Sequence, residues 1–200
     1  MPRISGQNVP ALFPDSGPVS VMLFGEAPGP RGADQSGIPF WGDGAGITVY
    51  RALVATGRAE VPEIAWEDWD GARFKALGLM PRLHGTALSN AYPACPTKDG
   101  DHFHAPTNRN LLAPLNLERL SAELARAAKD RTSPLRVIAL GKRAQWVLNQ
   151  VPEAPLIELC VLPHPSAQGL LQAAPGRGKG SLLADLRAAW QENLQALLGA

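Results

Sequence analysis

Cysteine is scarce: Cys95 and Cys160 are the only two in 200 residues. Two thiols make neither a disulfide framework nor a four-thiolate cluster. Long apolar runs are missing too. No stretch approaches the roughly 18 apolar residues that a spanning helix needs. Ala11-Leu12-Phe13 is too short for the apolar core of a signal peptide. Neither sign of charge dominates. Lys and Arg number 19 against 18 Asp and Glu, for a formal charge of +1. That balance announces no polyanionic partner and excludes none, because a local patch matters more than the sum. There is no internal repeat, and no Gly-Lys-Ser/Thr follows a glycine-rich turn as a Walker loop requires. What remains is a cytoplasmic globular protein with no membrane partner.

Glycine and proline, in contrast, are plentiful. They total 39 of 200 residues, against roughly 12% in average usage. The excess is not periodic, so collagen is excluded and many turns and long connections are implied. Hydrophobic residues at 45% and charged residues at 18% suit a packed core rather than a disordered chain. The length fits one domain.

Residues 1–17, with Pro2, Pro10, Pro14 and Gly17, read as an irregular arm, and residues 18–200 as one α/β domain. Val19–Phe24, Thr86–Ala91, Arg136–Leu140 and Leu156–Leu162 read as strands. The nearly continuous apolar character of the first suits a strand covered on both faces, and Thr86–Ala91 is the weaker pattern. Helices are expected over 44–57, from Asn116 as N-cap to about Ala128, over 142–150, and from Ser181 onward. Residues 58–85 read as a mixed insertion with one short helix, and 93–110 as a long polar loop. Strands alternating with helices predict a central, mostly parallel four-stranded sheet flanked by helices.

Parallel strands put their carboxyl ends on one edge, where ligands bind. That edge gathers Gly25-Glu26-Ala27-Pro28-Gly29, Asn90, Gly141-Lys142 and His164-Pro165-Ser166. The glycines let the backbone turn sharply and approach a ligand closely. Glu26 is the only acid in its turn. A solvated Glu on a Pro/Gly turn and a structural His164 are the plain alternatives. The convergence of these groups from distant parts of the chain argues for a site.

Together the segments carry a specific resemblance. Gly25-Glu26-Ala27-Pro28-Gly29 resembles motif A of the uracil-DNA glycosylase superfamily, in the form used by its family 4. The likeness continues through Ser36-Gly37-Ile38-Pro39-Phe40-Trp41-Gly42. Ser89-Asn90-Ala91 stands where that family has its uracil-reading Asn, and His164-Pro165-Ser166 resembles motif B. The resemblance implies a three-layer α/β fold and a DNA-repair enzyme that removes uracil from DNA, acting as a monomer at the bacterial nucleoid. It implies Glu26 and His164 as catalytic residues. It makes Gly25, Ala27, Phe40 and Asn90 the substrate pocket. Ser166, Ala167, Gln168, Arg177 and Lys179 would touch DNA, and Leu170 or Leu171 would be a wedge or core. Two other activities fit the same segments: a catalytically weak damage-binding protein, and a nucleotide-processing small-molecule enzyme.

The chain also departs from the family pattern. Family 4 members usually hold an iron–sulfur cluster on four cysteines, and only Cys95 matches one of those positions. No cluster, metal or organic cofactor is therefore expected. Cys160 reads as a small apolar strand residue. His102 and His104 stand near aspartates in the polar loop, where a metal pair or an incidental His-x-His are both open. His104 also falls near the histidine of a covalently trapping branch, but the Lys/Arg run that surrounds that histidine is missing.

Overall fold

The computed structural model describes residues 3–4, 8–152 and 155–199. Beyond the two-residue strand β1 (Arg3–Ile4), the first long element is β2 (Val21–Gly25), every residue of which is buried. It lies at the heart of a four-stranded sheet with β5 (Thr86–Asn90), β7 (Leu135–Leu140) and β8 (Ile157–Leu162). The order is β5-β2-β7-β8, and every pairing is parallel.

Side-chain alternation divides the core into two layers. Val21, Leu23, Leu88, Ile138 and Leu140 face one side, where α2 (Gly46–Ala55) and α8 (Leu183–Gly199) cover them. Met22, Phe24, Ala87, Val137 and Ala139 face the other, beneath α5 (Pro114–Ala128) and α6 (Lys142–Leu148). Leu120 and Leu124 of α5 are fully buried, each contributing about 1.5–3 kcal/mol relative to exposure. The C-terminal carbonyls of α8 have no partner within their helix. Arg58 donates to the carbonyl of Leu198, through Nε at 2.9 Å, and Arg136 donates to that of Leu197 at 3.1 Å. Among the described residues no helix is long and apolar enough to cross a membrane.

Three local expectations change. Asn116 does not cap α5, which begins at Pro114 with Ala113 as N-cap. Proline's fixed φ and missing N–H suit the first helical position, so the helix starts earlier. The Asn116 amide instead turns inward and donates to the carbonyls of Ala91 (2.9 Å) and Leu111 (2.8 Å). Second, Ser166 caps a helix that sequence periodicity did not reveal, α7 (Ala167–Ala173), with its Oγ accepting from Gly169 N–H at 3.1 Å. Leu170 thereby points into the core at 4% exposure, which removes it as a wedge. Third, 93–110 is not uniformly loop. It holds β6 (Pro96–Thr97), paired with β1, and α4 (Asn108–Leu111), closed by a Thr107/Asn110 capping box. The N-terminal arm also pairs further on: Leu12 bridges Leu88 antiparallel.

The insertion contains α3 (Gly71–Ala76), capped by Asp70, and a short antiparallel pair of β3 (Ala59–Glu60) and β4 (Arg82–Leu83). A single-turn helix (Glu63–Trp66) lies between β3 and α3. Its aromatic residues do not form a helical stripe. Trp69 and Phe74 ring Trp41 with centroids 4.9 and 4.4 Å away, and Tyr50 lies 4.9 Å from it on the α2 side. The insertion thus buttresses the segment that carries Phe40.

Close approach fixes that segment, which follows the short helix α1 (Ala33–Ser36), onto α2. A Cβ on Gly46 would sit 1.7 Å from the carbonyl oxygen of Phe40. Gly→Ala inside an isolated helix gains roughly 1 kcal/mol. Here Gly46→Ala should instead cost several kcal/mol, of order 2–4 by comparison with overpacked cores. The expected readout is a lower urea midpoint; an unchanged or raised midpoint contradicts the close contact.

Candidate active site

The strand order reverses between β2 and β7, because the chain leaves β2 for β5 on one side and returns to β7 on the other. In such sheets the loops diverge at this point and open a crevice. Glu26 follows β2 directly, and Gly141–Arg143 follow β7. A cleft of about 720 Å³ lies against them, lined in part by Glu26, Phe40, Arg143 and His164.

At its floor, β2 and β5 end in register, Gly25 beside Asn90. A Cβ on Gly25 would lie 2.6 Å from Asn90 Oδ1 and 2.8 Å from Phe40 Cε1. Only glycine leaves room for the amide and the ring together. Phe40 itself has φ +63°, a left-handed conformation that costs a non-glycine residue roughly 1–2 kcal/mol. Neighbouring contacts hold it there. Ser36 Oγ donates to Trp41 O at 2.7 Å, and Tyr50 Oη donates to Pro39 O at 3.1 Å. Asn90 is 2% exposed, and its Nδ2 has no hydrogen-bond partner. A buried amide donor left unpaired costs about 1–3 kcal/mol. Its backbone is well anchored: Arg119 Nη2 donates to Asn90 O at 2.9 Å, while Glu123 pairs with Arg119 at 2.6 Å.

Glu26 lies 2.8 Å from Arg143 Nε. The contact is short but misaligned, so neither atom completes a hydrogen bond and the attraction is mainly Coulombic. Burial raises the Glu26 pKa, and Arg143 pulls it partly back. Burial prevails because the Glu26 side chain is only 19% exposed while Arg143 is 39% exposed and partly screened by water. Arg143 also donates through Nη2 to Pro106 O, tying the loop after β6 to the same cleft.

His164 follows β8. Its Nδ1 accepts the Ser166 backbone N–H at 3.2 Å, which leaves the proton of a neutral ring on Nε2. Burial lowers the His164 pKa, so the ring is uncharged at neutral pH. Helix α7 crowds it: a Cβ on Gly169 would fall 2.4 Å from His164 O. Trp190 Nε1 donates to Pro163 O at 2.8 Å and pins the strand end.

A profile of the uracil DNA glycosylase superfamily matches residues 14–192. The chain belongs to that superfamily. A search of curated proteins finds no match. Membership makes DNA glycosylase chemistry the class of activity and DNA the class of substrate, and the parallel α/β sheet agrees with it.

On this glycosylase scaffold most of the expected site residues come together. Glu26, Ala27, Phe40, His164, Ser166 and Gln168 share the cleft, with Gly25 and Asn90 directly behind Phe40. Ala167 opens α7 beside them. Arg177 and Lys179 do not line the cleft; they are exposed in and just after the turn Pro175–Gly178 that precedes α8. The residues do not fit a four-cysteine cluster. Cys95 follows β5 and Cys160 sits within β8, at opposite edges of the sheet. Cys160 packs against the core as a small apolar group. Among the described residues no three His, Cys, Asp or Glu side chains gather as a metal site. His102 pairs with Asp99 at 2.6 Å, and His104 does not line the cleft although Phe103 and Ala105 do.

Two cleft residues had no sequence signal, Asp43 and Phe103, and Arg143 had only its position after a strand. Asp43 closes the turn below Glu26. Its carboxylate accepts the backbone N–H groups of Gly29 and Ala33, yet burial still pushes its pKa up to about 6. A Cβ on Gly29 would lie 2.2 Å from Asp43 Oδ1, which explains the glycine. The folded value lies above the ordinary 3.8. Its stabilising contribution is therefore complete below pH 3.8 and lost as pH rises through about 6. At neutral pH the loss is on the order of 2–3 kcal/mol. Denaturant titrations should show the midpoint difference between pH 4.5 and 7 moving toward the acid side less in Asp43→Asn than in the parent. An identical pH response in the two proteins contradicts this account.

Proposed function

We propose that this glycosylase hydrolyses the N-glycosidic bond of deoxyuridine in DNA, releasing uracil and leaving an abasic site, in the manner of family 4. The observation that carries the reading is the convergence, on one cleft, of a desolvated carboxylate, a neutral imidazole and an aromatic ring, with a buried unpaired amide directly behind that ring.

The target base must leave the helix stack, at a few kcal/mol, to reach such a cleft. Phe40 then stacks on the extruded ring, worth about 1–3 kcal/mol. The Asn90 amide reads the edge: Nδ2 donates to uracil O4 and Oδ1 accepts from N3–H. Cytosine reverses both groups and leaves buried polar atoms unpaired, a mismatch that discriminates by about 10⁴–10⁵. Cleavage puts negative charge on the base and positive charge on the sugar. The Nε2–H of His164 donates to the developing anion at O2. Glu26 deprotonates or orients the attacking water, and its charge favours the oxocarbenium-like sugar. Its raised pKa makes it a stronger base than a solvated carboxylate. Ser166, Ala167 and Gln168 at the start of α7, with Arg177 and Lys179 beyond it, meet the phosphate backbone.

A uracil-containing oligonucleotide tests the reading. Free base and an abasic site support it. Salt-sensitive retention without release supports a damage-binding protein instead, and turnover of free nucleotides alone supports a small-molecule enzyme. Glu26→Gln should slow release by about 10²–10⁴, and His164→Ala by about 10²–10³. Asn90→Ala should lower release and relax the preference for uracil over cytosine. Parental rates in all three variants remove these roles.

The pH profile gives a separate check. Glu26 acts ionised, so release should fall as pH drops through its folded pKa, along an acid limb above the ordinary carboxylate value of 4.5. Arg143 holds that pKa down, so Arg143→Ala should move the limb to higher pH. A limb that stays in place, or moves down, contradicts the assignment.

A further inference from the structure

The wall of the cleft is shared with a second, shallower groove of about 400 Å³. Phe103, Asp43 and Gly44 line both depressions, and Pro30, Arg31, Asp101 and His102 complete the second. Phe103 therefore stands on the ridge between them, with 42% of its surface exposed.

Its loop is built to hold it there. Thr97 and Phe103 form an antiparallel bridge, and His104 N donates to Pro96 O at 2.8 Å. Gly100 N donates to Thr97 Oγ1 at 2.9 Å. The Asp99 carboxylate gathers the backbone N–H groups of Asp101 and His102, each at 2.9 Å. Arg143 fastens the far end at Pro106. An aromatic ring fixed in place in advance loses little entropy on stacking.

Single exposed apolar residues are common and need no explanation. This one differs because it borders the cleft and is held by a closed loop. On the reading that the cleft receives an extruded nucleotide of DNA, the next nucleotide along the strand must leave across the cleft wall. We infer that the shallow groove is a subsite for that neighbouring nucleotide, its base stacked on the ring of Phe103. The groove's charges decide against phosphate as the main contact. Arg31 and Asp101, 4.0 Å apart and both exposed, offset each other, and the His102 ring is held by the Asp99 carboxylate at 2.6 Å. Recognition then falls to the ring face, which accepts any base.

The probe is a single-stranded oligonucleotide with 2-aminopurine beside a tetrahydrofuran abasic analogue, which cannot be cleaved. Bound to the parent protein, the 2-aminopurine should be quenched. Phe103→Ala should lose most of the quenching and bind about ten-fold more weakly, and Phe103→Tyr should restore both. Equal quenching and affinity in Phe103→Ala overturn the subsite. Base release from uracil oligonucleotides is measured alongside. Phe103→Ala should be slower by about ten-fold when the neighbour carries a base, and unchanged when the neighbour is abasic. A parent that quenches through Phe103 but releases no uracil keeps the subsite and removes the proposed specificity. A parent that releases uracil at the rate of Phe103→Ala on every neighbour removes the subsite alone.

Discussion

A carboxylate stripped of much of its water, with a guanidinium 2.8 Å away, sets the terms for the rest of this molecule. Burial favours the neutral acid, and the nearby positive charge favours the anion. The balance leaves the Glu26 pKa raised, with burial outweighing Arg143. Holding that balance requires β2 and β7 to be adjacent and parallel, so that the turns after both meet at the crevice. It also requires Arg143 to stay partly wet. Were Arg143 as enclosed as Glu26, low dielectric would strengthen their attraction and pull the carboxylate back toward an ordinary acid.

The second constraint is backbone proximity. Gly25, Gly29 and Gly46 are places where a single methyl group would strike Asn90, Asp43 and Phe40. The glycine wealth of this region thus does more than allow turns. It lets three layers of polypeptide approach until a ring and a carboxylate line one cleft with an amide packed behind the ring. The strain in Phe40 and the unpaired Asn90 Nδ2 sit at the same place. Strained dihedrals and unsatisfied polar groups persist where the surroundings over-determine them, and they cluster at ligand sites. The arginine and asparagine of α5 hold the strand end from beneath, so the position of Asn90 is fixed by residues that do not line the cleft.

What was legible in the sequence followed from period and edge. Short apolar or β-prone runs mark the four strands, and their shared polarity places Glu26, Asn90 and His164 on one rim. Residues whose position depends on tertiary contact were not legible. Asn116 read as a cap because its side chain type favours caps, but Pro114 took over the helix start and freed the amide for two distant carbonyls. Helix α7 has seven residues, too few for a period to emerge beside Gly169. Asp43 has no neighbour in sequence to mark it, since its partners are backbone N–H groups of Gly29 and Ala33. Phe103 lies in a polar stretch whose closure by Thr97 and Asp99 no hydrophobic pattern encodes.

The missing cysteines now have a physical consequence. Members of family 4, which the chain resembles, usually hold an iron–sulfur cluster on four cysteines, and only Cys95, in the connection after β5, matches one of those positions. Here that connection is tied by other means: pairing of β6 with β1, the Asp99 turn, the capping box at Thr107, and Arg143 on Pro106. Each hydrogen bond contributes only about 0.5–1.5 kcal/mol net, so the loop's order rests on several of them acting together. One of the ties, Arg143, is also the counter-charge of Glu26. Loop position and carboxylate basicity are therefore coupled through a single guanidinium, and any movement of the loop that draws Arg143 outward leaves Glu26 to burial alone.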